Sequence, residues 1–129
     1  MPRSYTRQKT KLRSISEDTK KVLSIARLAR DKKAEDIEVL DMKGLVDYTD
    51  YFVICSASSE RTAKTIAEHI VASTAKNKPK KSHIEGYRAG EWILIDLGDV
   101  IVHIFQPDKR EFYSLSRLWG DAPKVGIDN

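Results

Sequence analysis

Few residues in this chain have the types and spacing that chemistry needs. Asp36-Ile37-Glu38 would set two carboxylates on one face of a strand, the arrangement that holds a magnesium ion for nucleotidyl transfer. The pair lies at a helix–strand junction, however, and lacks the preceding Gly-Ser element that caps a helix in such transfer sites. His103 stands near Asp96, either as an acid–base pair or as a cross-strand hydrogen bond. Ser56, Ser58 and Ser59 precede a helix, with no local base to activate any of them. Cys55 is the single cysteine, which excludes an internal disulfide and a multi-cysteine metal site. It sits in an apolar run and reads as a small core residue. His69 falls on the polar side of its helix. There is no glycine-rich phosphate loop and no histidine–cysteine cluster at zinc spacing. These residues support a binding domain more than an enzyme, with no cofactor or metal expected.

The element that must position His103 and Asp96 is the stretch Trp92 to Phe105. It reads as two strands joined by Gly98-Asp99, and glycine first in a two-residue loop is a type II′ hairpin signal. This turn predicts the pairs Leu97–Val100, Asp96–Ile101, Ile95–Val102, Leu94–His103, Ile93–Ile104 and Trp92–Phe105. Side chains alternate across a strand, so the hairpin has two unlike faces. One is wholly aliphatic: Ile93, Ile95, Leu97, Val100, Val102 and Ile104. It can only be core. The other carries Trp92, Leu94, Asp96, Ile101, His103 and Phe105, and is the candidate for contact with another molecule. The competing reading is that helices cover both faces.

A helix is predicted from Ser14–Ser16 to about Lys33, on the capping-box spacing Ser14-x-x-Glu17 and the helical repeat of Val22, Ile25, Ala26 and Ala29. Ile37–Met42 reads as a strand and Lys43–Asp50 as a loop. Tyr51–Ser56 is a near-continuous apolar run, the mark of a central strand covered on both sides. Ser58 or Ser59 caps a second helix whose buried stripe is Ala63, Ile66, Ala67, Ile70, Val71 and Thr74. Ser82–Tyr87 is a short strand. A last helix follows Pro107, with Phe112, Leu115 and Trp119 on one face and Tyr113 and Arg117 beside it. The resulting order, α-β-β-α-β-β-β-α, predicts a mixed α/β (α+β) domain with a small mixed sheet of about five strands packed with helices.

The 129 residues make one domain, divided as a disordered basic tail over 1–13, a folded unit over 14–122 and a loose end over 123–129. Five of the 23 basic residues lie in 1–13 without an acid, which leaves 18 against 19 acidic residues in the rest. The body is therefore not a strongly basic nucleic-acid platform. The candidate phosphate contacts are the tail and the Lys78–Lys81 loop, and the competing reading of both is a solvated segment that touches nothing. No apolar run approaches the ~20 residues that span a bilayer. A cytoplasmic protein without membrane contact is the expectation.

The residues also match a pattern. Asp36-Ile37-x-Val39-Leu40-Asp41 is followed by Asp50 to Ser56 with Ser59-x-Arg61, then Glu85-Gly86. Next comes Trp92-x-Leu94-Ile95-Asp96-x-Gly98-Asp99-Val100-x-Val102-His103-x-Phe105. The set closes with Arg110-x-Phe112-Tyr113-x-Leu115-x-x-Leu118-Trp119. Over about residues 15–122 it closely resembles the ribosomal silencing factor, or Iojap-like, family. It departs at Ala57, Thr62 and Ser116, where that family more often has Gly, Gln or His, and Glu. The resemblance implies a fold similar to the nucleotidyltransferases without their catalytic carboxylates. It implies binding to the large ribosomal subunit through interface protein fourteen, a steric block to small-subunit joining, and a homodimer when free. On this reading Trp92, Leu94, His103 and Phe105, with Tyr113 and Trp119 from the last helix, border the contact patch. The alternative is a nucleotidyltransferase-like enzyme with a degenerate acidic site.

Overall fold

The structure, a computed structural model, describes residues 2–75 and 83–127, with side chains from residue 17 onward except those of residues 112, 113 and 116. The elements in chain order are α1 (Pro2–Asp31), β1 (Glu35–Asp41), β2 (Tyr51–Ser56), α2 (Glu60–Ala75), β3 (His83–Glu85), β4 (Trp92–Asp96), β5 (Val100–Phe105), α3 (Pro107–Tyr113), α4 (Leu115–Leu118) and β6 (Lys124–Val125). The strands form one six-stranded mixed sheet in the order β3-β4-β5-β2-β1-β6. Only β2 and β5 run parallel; the other neighbours are antiparallel. Among the described residues no helix is long and apolar enough to cross a membrane.

The hairpin forms in the predicted register, from Trp92 opposite Phe105 to Asp96 opposite Ile101. Gly98 takes φ +92°, and the Leu97 N–H donates to the Val100 carbonyl at 2.9 Å. β2 and β5 occupy the centre of the sheet, and every residue of both is buried, as their unbroken apolar runs require. On one face α1 and α2 press Val22, Ile25, Ala26, Ala29, Ala63, Ile66, Ala67 and Ile70 onto Val53, Ile93, Ile95, Val100, Val102 and Ile104. α2 begins as expected, with the Ser59 hydroxyl accepting the Thr62 N–H at 3.1 Å.

Three features differ from the sequence reading. α1 starts at Pro2 rather than near Ser14, so the backbone of 2–13, expected to be disordered, is helical. Extending a helix already nucleated at Val22–Ala29 costs little, and Arg, Lys and Gln are good helix formers. The last helix is broken in two. Ser114 lies in the left-handed region at φ 47°, ψ 52°, and its N–H caps α3 through the Arg110 carbonyl. Third, the sheet gains a sixth strand, because Lys124-Val125 pairs with Leu40 and Val39 at the open edge of β1. A strand edge left unpaired holds free N–H and C=O groups, and this short return satisfies some of them.

The Glu85-Gly86 step has a local cause. Gly86 takes φ +77°, and a Cβ there would collide with the Trp92 carbonyl oxygen. Gly86→Ala is expected to cost at least ~1–2 kcal/mol, from the left-handed backbone and from the displacement of β4. Chemical denaturation checks it; an unchanged midpoint would mean that the Gly86 turn does not set the position of Trp92.

Candidate docking face

The second face of the sheet is built differently from the first. Leu40, Met42, Phe52, Ile54, Ile101, Phe105 and Ala122 form its buried layer, and Val46, Trp92, Leu94, Leu115 and Trp119 pack against them while half exposed. Among the described residues no long helix covers it. The cover is the segment that follows β5: the break at Ser114 turns α4 so that Leu115 and Trp119 lie back on the sheet. Trp119 meets Phe52 edge to face at 6.2 Å.

The structure brings most of the expected contact residues together and sorts them by depth. Trp92 and Leu94 lie at the surface of the cluster with Trp119. Phe105 is fully buried, stacked under Trp92 at 4.9 Å. His103 is buried too, between Phe52 at 4.7 Å and Phe105 at 6.3 Å. Phe105 and His103 therefore support the face from beneath and do not present it, because the neighbouring rings close over them. The Tyr113 side chain lies outside the described residues, as does the Lys78–Lys81 loop. Sequence reasoning missed Phe52, the ring on which the cluster centres, since its run read only as a central strand. It also missed Leu45 and Tyr48 of the 43–50 loop. A loop holding Leu, Val and Tyr among its polar residues was the available signal.

His103 does not pair with Asp96. The Asp96 carboxylate accepts the Gly98 N–H at 2.8 Å, inside its own turn. The cross-strand hydrogen bond of His103 is with Trp92, whose Nε1–H donates to Nδ1 at 3.2 Å. A neutral ring that accepts at Nδ1 carries its proton on Nε2. That atom has no hydrogen-bond partner among the described residues. Burial pushes the His103 pKa down to about 4. Between the ordinary histidine value of ~6.5 and that value, the unfolded chain takes up a proton that the folded ring refuses. The His103 contribution is therefore intact above about pH 6.5 and is lost as pH falls towards 4. Thermal melts from pH 7.5 to 4.5 are expected to fall more steeply for the wild type than for His103→Gln; parallel curves would show that His103 titrates normally in the fold.

The acidic pair is also accounted for. A bulge interrupts β1 between Glu35 and Glu38, with Asp36 at φ 49°, so the strict alternation that would align two carboxylates is lost. Arg110 of α3 spans the site. Its guanidinium donates to the Asp36 carbonyl at 2.5 Å, to the Ser56 hydroxyl at 2.9 Å and to the Glu38 carboxylate at 2.6 Å. Lys124 stands 3.4 Å from the other Glu38 oxygen. Two protein cations thus hold the carboxylate that a metal would need. A cleft of about 470 Å³ beside it is lined by Arg30, Asp36, Glu38 and Lys124, of mixed sign. Among the described residues no group of three or more His, Cys, Asp or Glu is placed to hold a metal ion. Burial pushes the Cys55 thiol up to about 12, which leaves it unreactive at neutral pH.

Comparison with known proteins gives a consistent answer. Residues 15–129 match the family described as ribosomal silencing factor during starvation. The chain is 44% identical over 110 residues to ribosomal silencing factor RsfS of Bacillus subtilis, covering 84% of this chain and 93% of that one. It is 34% identical over 105 residues to the chloroplastic protein Iojap of Arabidopsis thaliana, covering 81% of this chain and 44% of that longer one. A crystal structure from Bacillus halodurans superposes with a TM-score of 0.70 at 37% identity, covering 84% of this chain and 99% of that one. Another from Chromobacterium violaceum superposes with a TM-score of 0.74 at 27% identity, covering 88% and 92%.

Proposed function

This chain belongs to the ribosomal silencing factor family, and we propose that it docks on the large ribosomal subunit through interface protein fourteen and sterically blocks the small subunit. Joining requires the interface surface of the large subunit to be free, so occupancy alone represses translation, and no bond need be made or broken. Damping translation when nutrients are scarce is the role this gives the chain, with the cytoplasm as its site of action. The observation that carries the reading is the second sheet face. Trp92, Leu94 and Trp119 are half-buried there, packed over the rings of Phe52, His103 and Phe105. Large aromatic anchors held in place by packing are what dominate protein interfaces. A free protein can cover the same apolar surface with a second copy, which would make the homodimer a resting form. Contact of the basic start and the Lys78–Lys81 loop with ribosomal RNA would be peripheral.

The enzymatic alternative is weakened by Arg110, which holds Glu38 where a catalytic metal would be bound. The test is sedimentation of the purified protein with separated bacterial ribosomal subunits. Migration with the large subunit and not the small supports the proposal. Magnesium-dependent nucleotide transfer, lost in Asp36→Ala, with no subunit binding would replace it with the enzyme.

A further inference from the structure

The cover of the second face runs from Gln106 to Pro123 and is tied to the rest of the fold at both ends. The Gln106 N–H donates to the Glu91 carbonyl at 3.0 Å, and its side-chain amide donates to the Gly90 carbonyl at 2.9 Å. At the far end the Asp41 N–H donates to the Pro123 carbonyl at 2.8 Å. Between these ties, none of the described side chains of α3 is buried. What joins α3 to the strands there is Arg110. Its Nη1 donates to the Asp36 carbonyl and to the Ser56 hydroxyl, and its Nη2 donates to the Glu38 carboxylate. One planar fork thus holds three acceptors on two strands, which a single ammonium could not do.

Arg110 also sits where the cover turns. Its carbonyl accepts the Ser114 N–H at 2.8 Å, and Ser114 is the left-handed residue from which α4 folds back. The side chain therefore fixes α3 on the β1 bulge while the backbone of the same residue caps the break. Glu38 closes the far side, because Lys124, just past Pro123, stands 3.4 Å from its second oxygen. Both ends of the cover meet on one carboxylate, and between them Leu115 and Trp119 lie on Phe52 and its neighbours. The Arg110 end is the stronger. Its side chain is 16% exposed against 69% for Lys124, and an exposed ion pair adds little. We infer that Arg110 is a positioning residue for docking, one that acts through Trp119 and Leu115 by pinning α3 to Asp36, Ser56 and Glu38. The inference rests on the docking reading above. A cover fixed before contact avoids the entropy loss of ordering it on binding. A cover in place only part of the time lowers the apparent affinity by that fraction.

The test takes two readings of each variant below its melting temperature. One is affinity for purified bacterial large ribosomal subunits. The other is acrylamide quenching of Trp119 in a Trp92→Phe background, where it is the remaining one of the two tryptophans. Arg110→Met keeps an unbranched stem and removes the fork. It is expected to bind about tenfold more weakly, as for a cover in place about a tenth of the time, and its Trp119 should be quenched more readily. Arg110→Lys keeps the charge without the fork and should fall between wild type and Arg110→Met in both readings. It carries the test where Arg110→Met melts too early. A lower melting temperature with wild-type quenching and affinity would make the role merely structural and overturn the inference. Weaker binding with unchanged quenching would make Arg110 a direct contact and overturn it too. Readier quenching at wild-type affinity would take the cover out of docking, with the same consequence. A wild-type protein that does not bind the subunits would remove the docking reading and the role of Arg110 with it. That failure shows in the unsubstituted protein, which separates it from the other three.

Discussion

Ile95→Ala is expected to lower the free energy of unfolding by ~3 kcal/mol, the usual cost of emptying a fully enclosed aliphatic site. Ile95 has no exposed surface, pairs with Val102 across the hairpin and with Ile84 across the next strand, and faces α1 and α2. Neighbours on both strands and on the helix layer are fixed by the sheet register, so the cavity cannot collapse. A urea titration should show a lower midpoint at an unchanged slope, because the surface exposed on unfolding is nearly the same. Leu94→Ala, one residue away on the half-exposed face, should cost clearly less. Equal losses at the two positions would mean that both sides of the sheet are equally enclosed.

Trp92→Ala is expected to weaken large-subunit binding by ~2 kcal/mol or more, roughly thirtyfold, as the loss of a central aromatic anchor. Read from its sequence position alone, Trp92 should support the free fold weakly. The structure corrects this. The ring stacks on Phe105 at 4.9 Å, and its N–H is the donor to His103. Removing it exposes Phe105 and leaves His103 Nδ1 without its donor, so ~2 kcal/mol of stability should go as well. Trp92→Phe separates the effects, since it keeps most of the stacking and gives up the hydrogen bond. Its stability should lie between wild type and Trp92→Ala, and its binding should recover in part. Binding by Trp92→Ala equal to wild type, measured well below its melting temperature, would take Trp92 out of the interface.

How much of this was legible beforehand follows from what each signal encodes. The hairpin could be read pair by pair because Gly98 sets the turn and alternation does the rest. The helix stripes were legible because 3.6-residue periodicity is a property of a single element. The second face was not, because what covers it comes from elsewhere in the chain. Nothing local to Leu115-Ser116-Arg117-Leu118-Trp119 shows that Ser114 adopts a left-handed conformation and folds the rest onto Phe52. The same holds for β6, whose pairing exists only because β1 offers an edge. The Asp36–Glu38 pair could be weighed as a metal site but its actual partner could not be read, because Arg110 lies 72 residues from Glu38. His103 and Phe105 were placed at the contact patch by strand alternation and by the family pattern, which give the side of the sheet but not the depth.

The most direct measurement is subunit joining. Purified large and small bacterial subunits are mixed at a magnesium concentration that favours association, with increasing protein, and resolved on sucrose gradients. The joined particle is predicted to decline as the protein appears in the large-subunit peak, without consumption of any nucleotide, and the Trp92→Ala variant should need a roughly thirtyfold higher concentration. An undiminished joined peak at a concentration that saturates the large subunit would contradict the account, because the protein would then bind without blocking.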